Sequence, residues 1–323
     1  MKTPTLQKEL RHFVSDMVSV EEQALVQMVS APDMAGTTEL SENFRRHREE
    51  TEAHARRMGE RLNTLGGDHS AVKNGVMKTG GKGFLLFAKK QPDTPGKLHA
   101  HAYSYESMEW AGYEILIQLA KHADDSETMQ IAQEIQREEQ TMMERLEAGF
   151  DDACNASHPD ADREELQNKI PSYLSDAHAL NVQSIKFLKK NAKQAPTSEV
   201  AKIYQDQLVV SKGQKKQIKQ RQQQLDSSPS FFKDKVLAAG AFNWRHFFNV
   251  HSDTPFKLAG FTYALKHLEI GAYELLRCTA KEAGDTETVR LCEKLLLEEK
   301  GLAMRLQEAL PRLVDAMVLN NFA

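Results

Sequence analysis

The chain has 323 residues, in which 46 Asp and Glu side chains outnumber 42 Lys and Arg side chains, so the formal net charge is −4. Its length fits two domains of about 150 residues each. No apolar run reaches the roughly 18 residues of a membrane helix, and no signal peptide is visible, so we expect a soluble cytoplasmic protein without a membrane partner. The three cysteines form no CxxC pair and are expected to be reduced thiols.

The charge is unevenly distributed along the chain. Residues 1–160 contain 18 basic and 27 acidic side chains, a net charge of −9, whereas residues 161–323 contain 24 and 19, a net charge of +5. We interpret the basic excess as a solvated face, with docking of one half on the other and contact with an anionic partner as alternatives. No aromatic residues are interleaved with it, so nucleic acid is not an expected partner. Part of the excess lies in one predicted helix, at Lys212, Lys215, Lys216, Lys219 and Arg221.

The first half reads as four long helices in two hairpins. Apolar residues at three- and four-residue spacing predict the first helix over residues 5–30. A second helix is predicted over about 38–65, where the glycine pair 66–67 stops it. The third is predicted over 94–122, with Thr94 as its N-cap and a proline at its first helical position. An Asp-Ser pair opens the fourth helix, over about 125–150.

Two stretches separate these helices from one another and from the second half. Residues 66–93 form a long, glycine-containing connection, which is unusual inside a compact domain. A four-helix bundle with one long crossover connection explains it, and that is the ferritin-like arrangement. The polar residues 151–163 are the predicted interdomain linker. We therefore predict an all-α protein of two tandem ferritin-like four-helix bundles, each with one long crossover, over residues 1–150 and 164–323.

The second half repeats the first at an offset of 160 residues. The triplet Asp93-Thr94-Pro95 recurs as Asp253-Thr254-Pro255, and 12 of the 29 positions from 93 to 121 are identical to those from 253 to 281. This period is far longer than that of a solenoid repeat, so the pattern indicates a duplicated domain.

Four glutamates and one histidine are expected to meet at one depth of the first bundle. Counted from turns near residues 34 and 124, the glutamates all lie about 20–24 Å along their helices at 1.5 Å per residue. The histidine follows one of them by four residues, on the same helical face. Such a group cannot stay charged and unpaired in a core, and carboxylates with imidazole suit iron and manganese. The residues are Glu21, Glu50, Glu109, Glu139 and His54.

Short motifs, at least one in each helix, strengthen this interpretation. They are Ser15-Asp16 with Glu21, the His-Arg-Glu-Glu-Thr stretch 47–51 with His54, Glu106 with Glu109, and Glu138-Glu139 followed by Arg145-Leu146. With them, residues 5–150 and 165–312 resemble the YciE/YciF-type ferritin-like stress proteins, relatives of ferritin and rubrerythrin. The resemblance implies a ferritin-like bundle with a di-iron or di-manganese site on Glu21, Glu50, His54, Glu109 and Glu139.

Two departures from the family pattern affect the number of metal ions. The ferritin pattern places a histidine three residues after the glutamate of helix two, whereas His54 follows Glu50 by four. In the fourth helix the second ligand position falls on Met142 or Met143, and thioethers are poor ligands for a hard ion. The pattern therefore leaves the sixth ligand unassigned.

Glu106 is the candidate for that sixth ligand, because it lies one turn before Glu109 on the same face. Without it the second metal would be weak or absent, so a dinuclear and a mononuclear site both stay open. His47 is interpreted as a surface residue or as a residue that supports a ligand.

The second half has lost most of this set. Glu21, Glu50 and His54 are matched by Asn181, Val210 and Gln214. Lys266 takes the position of Glu106, while Glu269 and Glu299 remain. Two carboxylates facing an ammonium can satisfy each other as a buried ion cluster, so we expect the second half to bind no metal.

Two classes of function follow from these patterns. The first is a dinuclear or mononuclear iron or manganese oxidoreductase of stress defence, a ferroxidase or a peroxide-consuming enzyme, whose partner is peroxide or dioxygen. The second is a non-enzymatic structural or interaction module, in which the fused halves mimic a homodimer. The sequence leaves the choice of metal and any further homo-oligomer open.

Overall fold

Within the described residues this computed structural model contains helices and no strands and forms two compact units, which confirms the predicted all-α fold of two helical bundles. The first unit comprises residues 1–157 with 310–323, and the second comprises residues 158–309. The described residues are 4–72, 93–195, 197–225 and 254–322.

The first unit contains four long helices and two short ones in its described part before residue 158. Their bounds are α1 (Pro4–Met28), α2 (Ala31–Met34), α3 (Thr38–Thr64), α4 (Thr94–His122), α5 (Ser126–Ala148) and α6 (Phe150–Ser157).

The start of α5 agrees with the prediction, and the start of α4 differs from it by one residue. The Asp125 carboxylate accepts a hydrogen bond from the backbone N–H of Thr128 at 3.0 Å, which caps α5. At the start of α4 the N-cap is Asp93, and Thr94 is the first helical residue instead of the cap. The helix begins there because Pro95, whose missing N–H costs nothing in the first turn, follows directly.

The stretch predicted as a linker also differs. Its first residues form α6, which packs on α4 with Ala153 and Cys154 buried. The ring of Phe150 stands edge-on to His99 and Tyr103 of α4, at centroid distances of 4.8 and 5.4 Å. This apolar contact explains why the polar stretch folds back on the bundle.

The four long helices of the first unit form an antiparallel ring. Helix α1 contacts α3 and α4, and α5 contacts the same two helices. Arg61 at the end of α3 pairs with Asp125 before α5, while Glu50 pairs with Arg145 near the end of α5. Helices α3 and α4 therefore run in the same direction, and the end of α3 and the start of α4 lie at opposite ends of the bundle, about 40 Å apart. Most of the predicted crossover, residues 73–92, lies outside the described residues.

The second unit repeats this construction. Its helices are α7 (Arg163–Gln194), α8 (Ser198–Gln224), α9 (Thr254–Glu282) and α10 (Thr286–Phe322), the last of which belongs to this unit up to residue 309. Arg221 of α8 pairs with Asp285 and Glu287 at the start of α10, as Arg61 pairs with Asp125 and Glu127 in the first unit. The crossover predicted for the second half falls on residues 226–253, which lie outside the described residues. No helix in the described residues combines the length and apolar character that crossing a bilayer requires.

Candidate metal centre

Helix α3 places two histidines on one face of the first bundle. His47 and His54 are two helical turns apart, with Thr51 between them, and all three side chains are buried. The Nε2 atom of His47 lies 2.8 Å from Oε2 of Glu106 on α4. Of the two alternatives for His47, a surface residue and a residue that supports a ligand, burial excludes the first and leaves the second. Its seven-residue spacing from His54 is the sequence signal that could have placed it in the interior.

Buried side chains from α1, α3, α4 and α5 form two overlapping groups of metal-ligand type. In each group, one nitrogen or carboxylate oxygen from every residue lies within 4.8 Å of the others. The first group is His47, Glu106, Glu109 and Glu139, and the second is Glu21, His54 and Glu139. The groups share Glu139, and every predicted site residue except Glu50 belongs to one of them.

The second group is centred on His54. Its Nδ1 atom lies 2.9 Å from Oε1 of Glu139 and 3.8 Å from Oε2 of Glu21. The hydroxyl of Tyr113, on α4, donates a hydrogen bond to the other oxygen of Glu21. Glu21 is therefore fixed on one side by a tyrosine and leaves its second oxygen facing the histidine.

Glu50 lies at the rim of the site and outside both groups. Its side chain is 26% exposed, with Oε2 3.2 Å from Nδ1 of His47. The Nη1 atom of Arg145 lies 3.2 Å from the Oε1 atom of Glu50. Burial raises the pKa of Glu50, but the hydrogen bond from His47 and the charge of Arg145 outweigh burial and lower it. This arginine is the physical reason why the Glu50 carboxylate stays at the rim.

Without a cation, the interior of the site attracts protons. Burial raises the pKa of Glu21 to about 8 and that of Glu106 to about 7, and it raises the pKa of Glu109 well above its usual range. Burial alone would lower the pKa of His54, but Glu138, Glu139 and Glu21 outweigh it and raise the pKa to about 10. The group therefore requires positive charge, supplied by protons or by a metal ion.

A divalent metal ion fits the residues that are present. Both carboxylate oxygens of Glu109 and the Oε2 atom of Glu21 are buried with no hydrogen-bond partner, which is costly for a carboxylate. Oxygen donors with imidazole are the ligands that iron and manganese accept. The side chains able to hold such ions are Glu21, His47, His54, Glu106, Glu109 and Glu139.

A family model described as a domain of unknown function, DUF892, matches residues 5–158 and, a second time, residues 167–319. The chain belongs to the DUF892 family. The two matches support the tandem duplication read from the 160-residue offset. No solved structure matches the chain.

The second DUF892 domain keeps two of the site glutamates, Glu269 and Glu299, but has a lysine in place of Glu106. The Nζ atom of Lys266 lies 2.9 Å from Oε2 of Glu269 and 3.2 Å from Oε1 of Glu299, and all three side chains are fully buried. Ser211 and Gln214, also buried, replace Thr51 and His54. The predicted ion cluster is therefore present. Among the described residues, groups of metal-ligand type occur only in the first DUF892 domain.

Proposed function

We propose that the first DUF892 domain holds a pair of iron or manganese ions and that the chain is a ferritin-like stress protein of the YciE/YciF type. One observation supports this most strongly: two buried groups of ligand-type side chains share a single carboxylate, Glu139. A carboxylate has two oxygens, so one that belongs to both groups is able to bind an ion on each side.

In this proposal Glu106, Glu109 and His47 hold one ion, Glu21 and His54 hold the other, and Glu139 serves both. The assignment of Glu50 as a ligand stays a prediction from the sequence. When bound, the metal pair supplies one-electron redox chemistry that the side chains alone lack. The protein residues orient the ligands and exclude water, and Tyr113 holds Glu21 in place.

The proposed reaction partner is peroxide or dioxygen, as a ferroxidase or a peroxide-consuming enzyme of the cytoplasm. The burial of all six ligands supports a small substrate, because a larger one would have to displace core side chains. The choice of peroxide or dioxygen rests on the resemblance to the YciE/YciF-type family.

The test uses the full-length chain purified from cells grown with added iron and manganese. We expect about two metal ions per chain by elemental analysis, and consumption of peroxide or dioxygen by the iron-loaded protein that free iron at the same concentration does not match. A content of about one ion per chain would contradict the pair and indicate a mononuclear site. A preparation without either metal would contradict the metal site. A loaded protein without either reaction would contradict the oxidoreductase assignment alone.

The second candidate function is a non-enzymatic module in which the two fused domains take the place of a homodimer. The buried cluster of Lys266, Glu269 and Glu299 favours it, because the lysine ammonium neutralises the two carboxylates of the second domain without a metal ion. For this candidate, thermal stability would not respond to chelators or to added metal.

A further inference from the structure

His54 lies between two consecutive glutamates of α5. Its Nδ1 atom faces Glu139 and Glu21 in the interior, whereas its Nε2 atom lies 2.5 Å from Oε2 of Glu138. The imidazole is fully buried, but the Glu138 side chain is 44% exposed. One ring nitrogen therefore points to the candidate metal site, and the other points to a carboxylate at the surface of the bundle.

Glu138 is held at this place by a neighbour on α3. The Nη1 atom of Arg57 lies 3.7 Å from Oε1 of Glu138, and the same arginine hydrogen-bonds to Glu134, one turn earlier on α5. Glu134 and Glu138 thus share a cationic partner and a helix face, but of the two only Glu138 forms an ion pair with His54.

An imidazole can offer either ring nitrogen to a cation, and the hydrogen bond made by the other nitrogen decides which one is used. We propose that Glu138 is a positioning residue that accepts a hydrogen bond from Nε2–H of His54 and so keeps the Nδ1 atom turned toward the metal. This inference rests on the metal site proposed for the first domain. Glu138 itself belongs to neither ligand group, so the proposed role is to orient a ligand and not to bind the metal.

The second domain supplies a natural control. Glu298 occupies the position that matches Glu138, but Gln214 stands in place of His54. The Oε1 atom of Gln214 accepts a hydrogen bond from Asn181 at 3.3 Å, and Glu298 lies 3.9 Å from Nζ of Lys294. The same carboxylate position is therefore present without a histidine to orient.

The experiment compares Glu138→Leu, which removes the acceptor, with Glu138→Gln, which keeps an acceptor oxygen. Glu134→Leu and Glu298→Leu are the matched controls. Zn²⁺, a diamagnetic probe, is titrated into the full-length metal-free proteins against a competing chelator. The metal-bound ring nitrogen of His54 is read from long-range ¹H–¹⁵N spectra of histidine-labelled protein, with His54→Gln identifying the signal.

We expect Glu138→Leu to weaken Zn²⁺ binding about 10- to 100-fold and to alter the nitrogen pattern of His54. Glu138→Gln should bind within a few-fold of the wild type, and both controls should bind as the wild type does. Unchanged affinity and an unchanged His54 pattern in Glu138→Leu would overturn the inference, as would equal losses in the leucine and glutamine variants. Glu138→Ala gives the same comparison should the leucine variant not fold. A wild-type chain that binds no Zn²⁺ would instead contradict the metal site itself.

Discussion

The Oε1 atom of Glu139 lies 2.9 Å from the Nδ1 atom of His54, while its Oε2 atom lies 4.0 Å from the Nε2 atom of His47. One carboxylate of α5 thus faces both buried imidazoles of α3. The matching carboxylate of the second domain, Glu299, faces the ammonium of Lys266 at 3.2 Å. The duplicated position keeps its glutamate, but its partner is an imidazole pair in one domain and a lysine in the other.

The first prediction concerns the pH dependence of the metal-free protein. Burial raises the pKa of Glu21 from 4.5 to about 8, so the folded state retains a proton that the unfolded state has released. The carboxylates around His54 raise its pKa from 6.5 to about 10, so above pH 6.5 the folded state holds a second proton that the unfolded state has released. A group with a raised pKa loses its stabilising contribution as pH rises toward the folded value. Stability should therefore fall between pH 7 and 9.

Two other histidines affect stability in the opposite direction, but only at lower pH. Burial lowers the pKa of His99 and His101 to about 4, so their contribution to stability rises with pH below about pH 6.5 and is constant between pH 7 and 9. Urea unfolding of chelator-treated protein checks the prediction. Glu21→Gln cannot titrate and should lose about 1 kcal/mol less than the wild type between pH 7 and 8, since one proton is worth about 1.4 kcal/mol per pH unit. Added Mn²⁺ should raise the melting temperature most at the upper end of the window, because metal binds the deprotonated groups. If the free energy of unfolding of Glu21→Gln fell with pH as steeply as that of the wild type, the raised pKa of Glu21 would be contradicted.

The second prediction concerns the ion cluster of the second domain. Lys266→Met leaves Glu269 and Glu299 buried without their ammonium, which should destabilise this domain by about 3–5 kcal/mol. Lys294→Met, at a lysine that is 58% exposed, should change stability by less than about 0.5 kcal/mol. Urea unfolding measures both. A loss below about 1 kcal/mol for Lys266→Met would mean that the lysine does not neutralise the cluster.

The third prediction separates two roles for Glu50. The sequence predicts a ligand, whereas the structure holds the carboxylate at the rim between His47 and Arg145. From this geometry we expect Glu50→Gln to retain metal in elemental analysis, with an affinity lowered by no more than about tenfold. Loss of metal equal to that of Glu109→Gln would restore Glu50 to the ligand set.

Much of the fold could be predicted from the sequence, because local rules decide it. Three- and four-residue apolar spacing predicts the long helices, and Asp125 begins α5 as its sequence suggests. The sequence predicts Thr94 as the N-cap of α4, whereas the residue at the cap position is Asp93, because threonine and aspartate both favour this position. The helix Phe150–Ser157 was not predicted, because its packing on α4 depends on tertiary contacts of Phe150.

The residues of the candidate site also divide into those that local rules predict and those that tertiary contacts decide. Depth along each helix could be counted from the turns, and Glu21, Glu109 and Glu139 indeed lie together with His54 and Glu106. Counting residues along the helix could not show whether His47 or Glu50 points into the site, since both lie on the same face of α3. Arg145 on another helix decides it, by pairing with Glu50.

The most direct measurement is the metal content of three full-length proteins, wild type, Glu139→Gln and Glu299→Gln, purified in parallel from iron- and manganese-supplemented cells. Circular dichroism confirms that each variant is folded. Because Glu139 belongs to both ligand groups and Glu299 is its match in the second domain, we expect Glu139→Gln to lose most of its metal and Glu299→Gln to retain the wild-type content of about two ions per chain. Wild-type metal content in Glu139→Gln, or equal losses in both variants, would contradict a metal centre in the first domain.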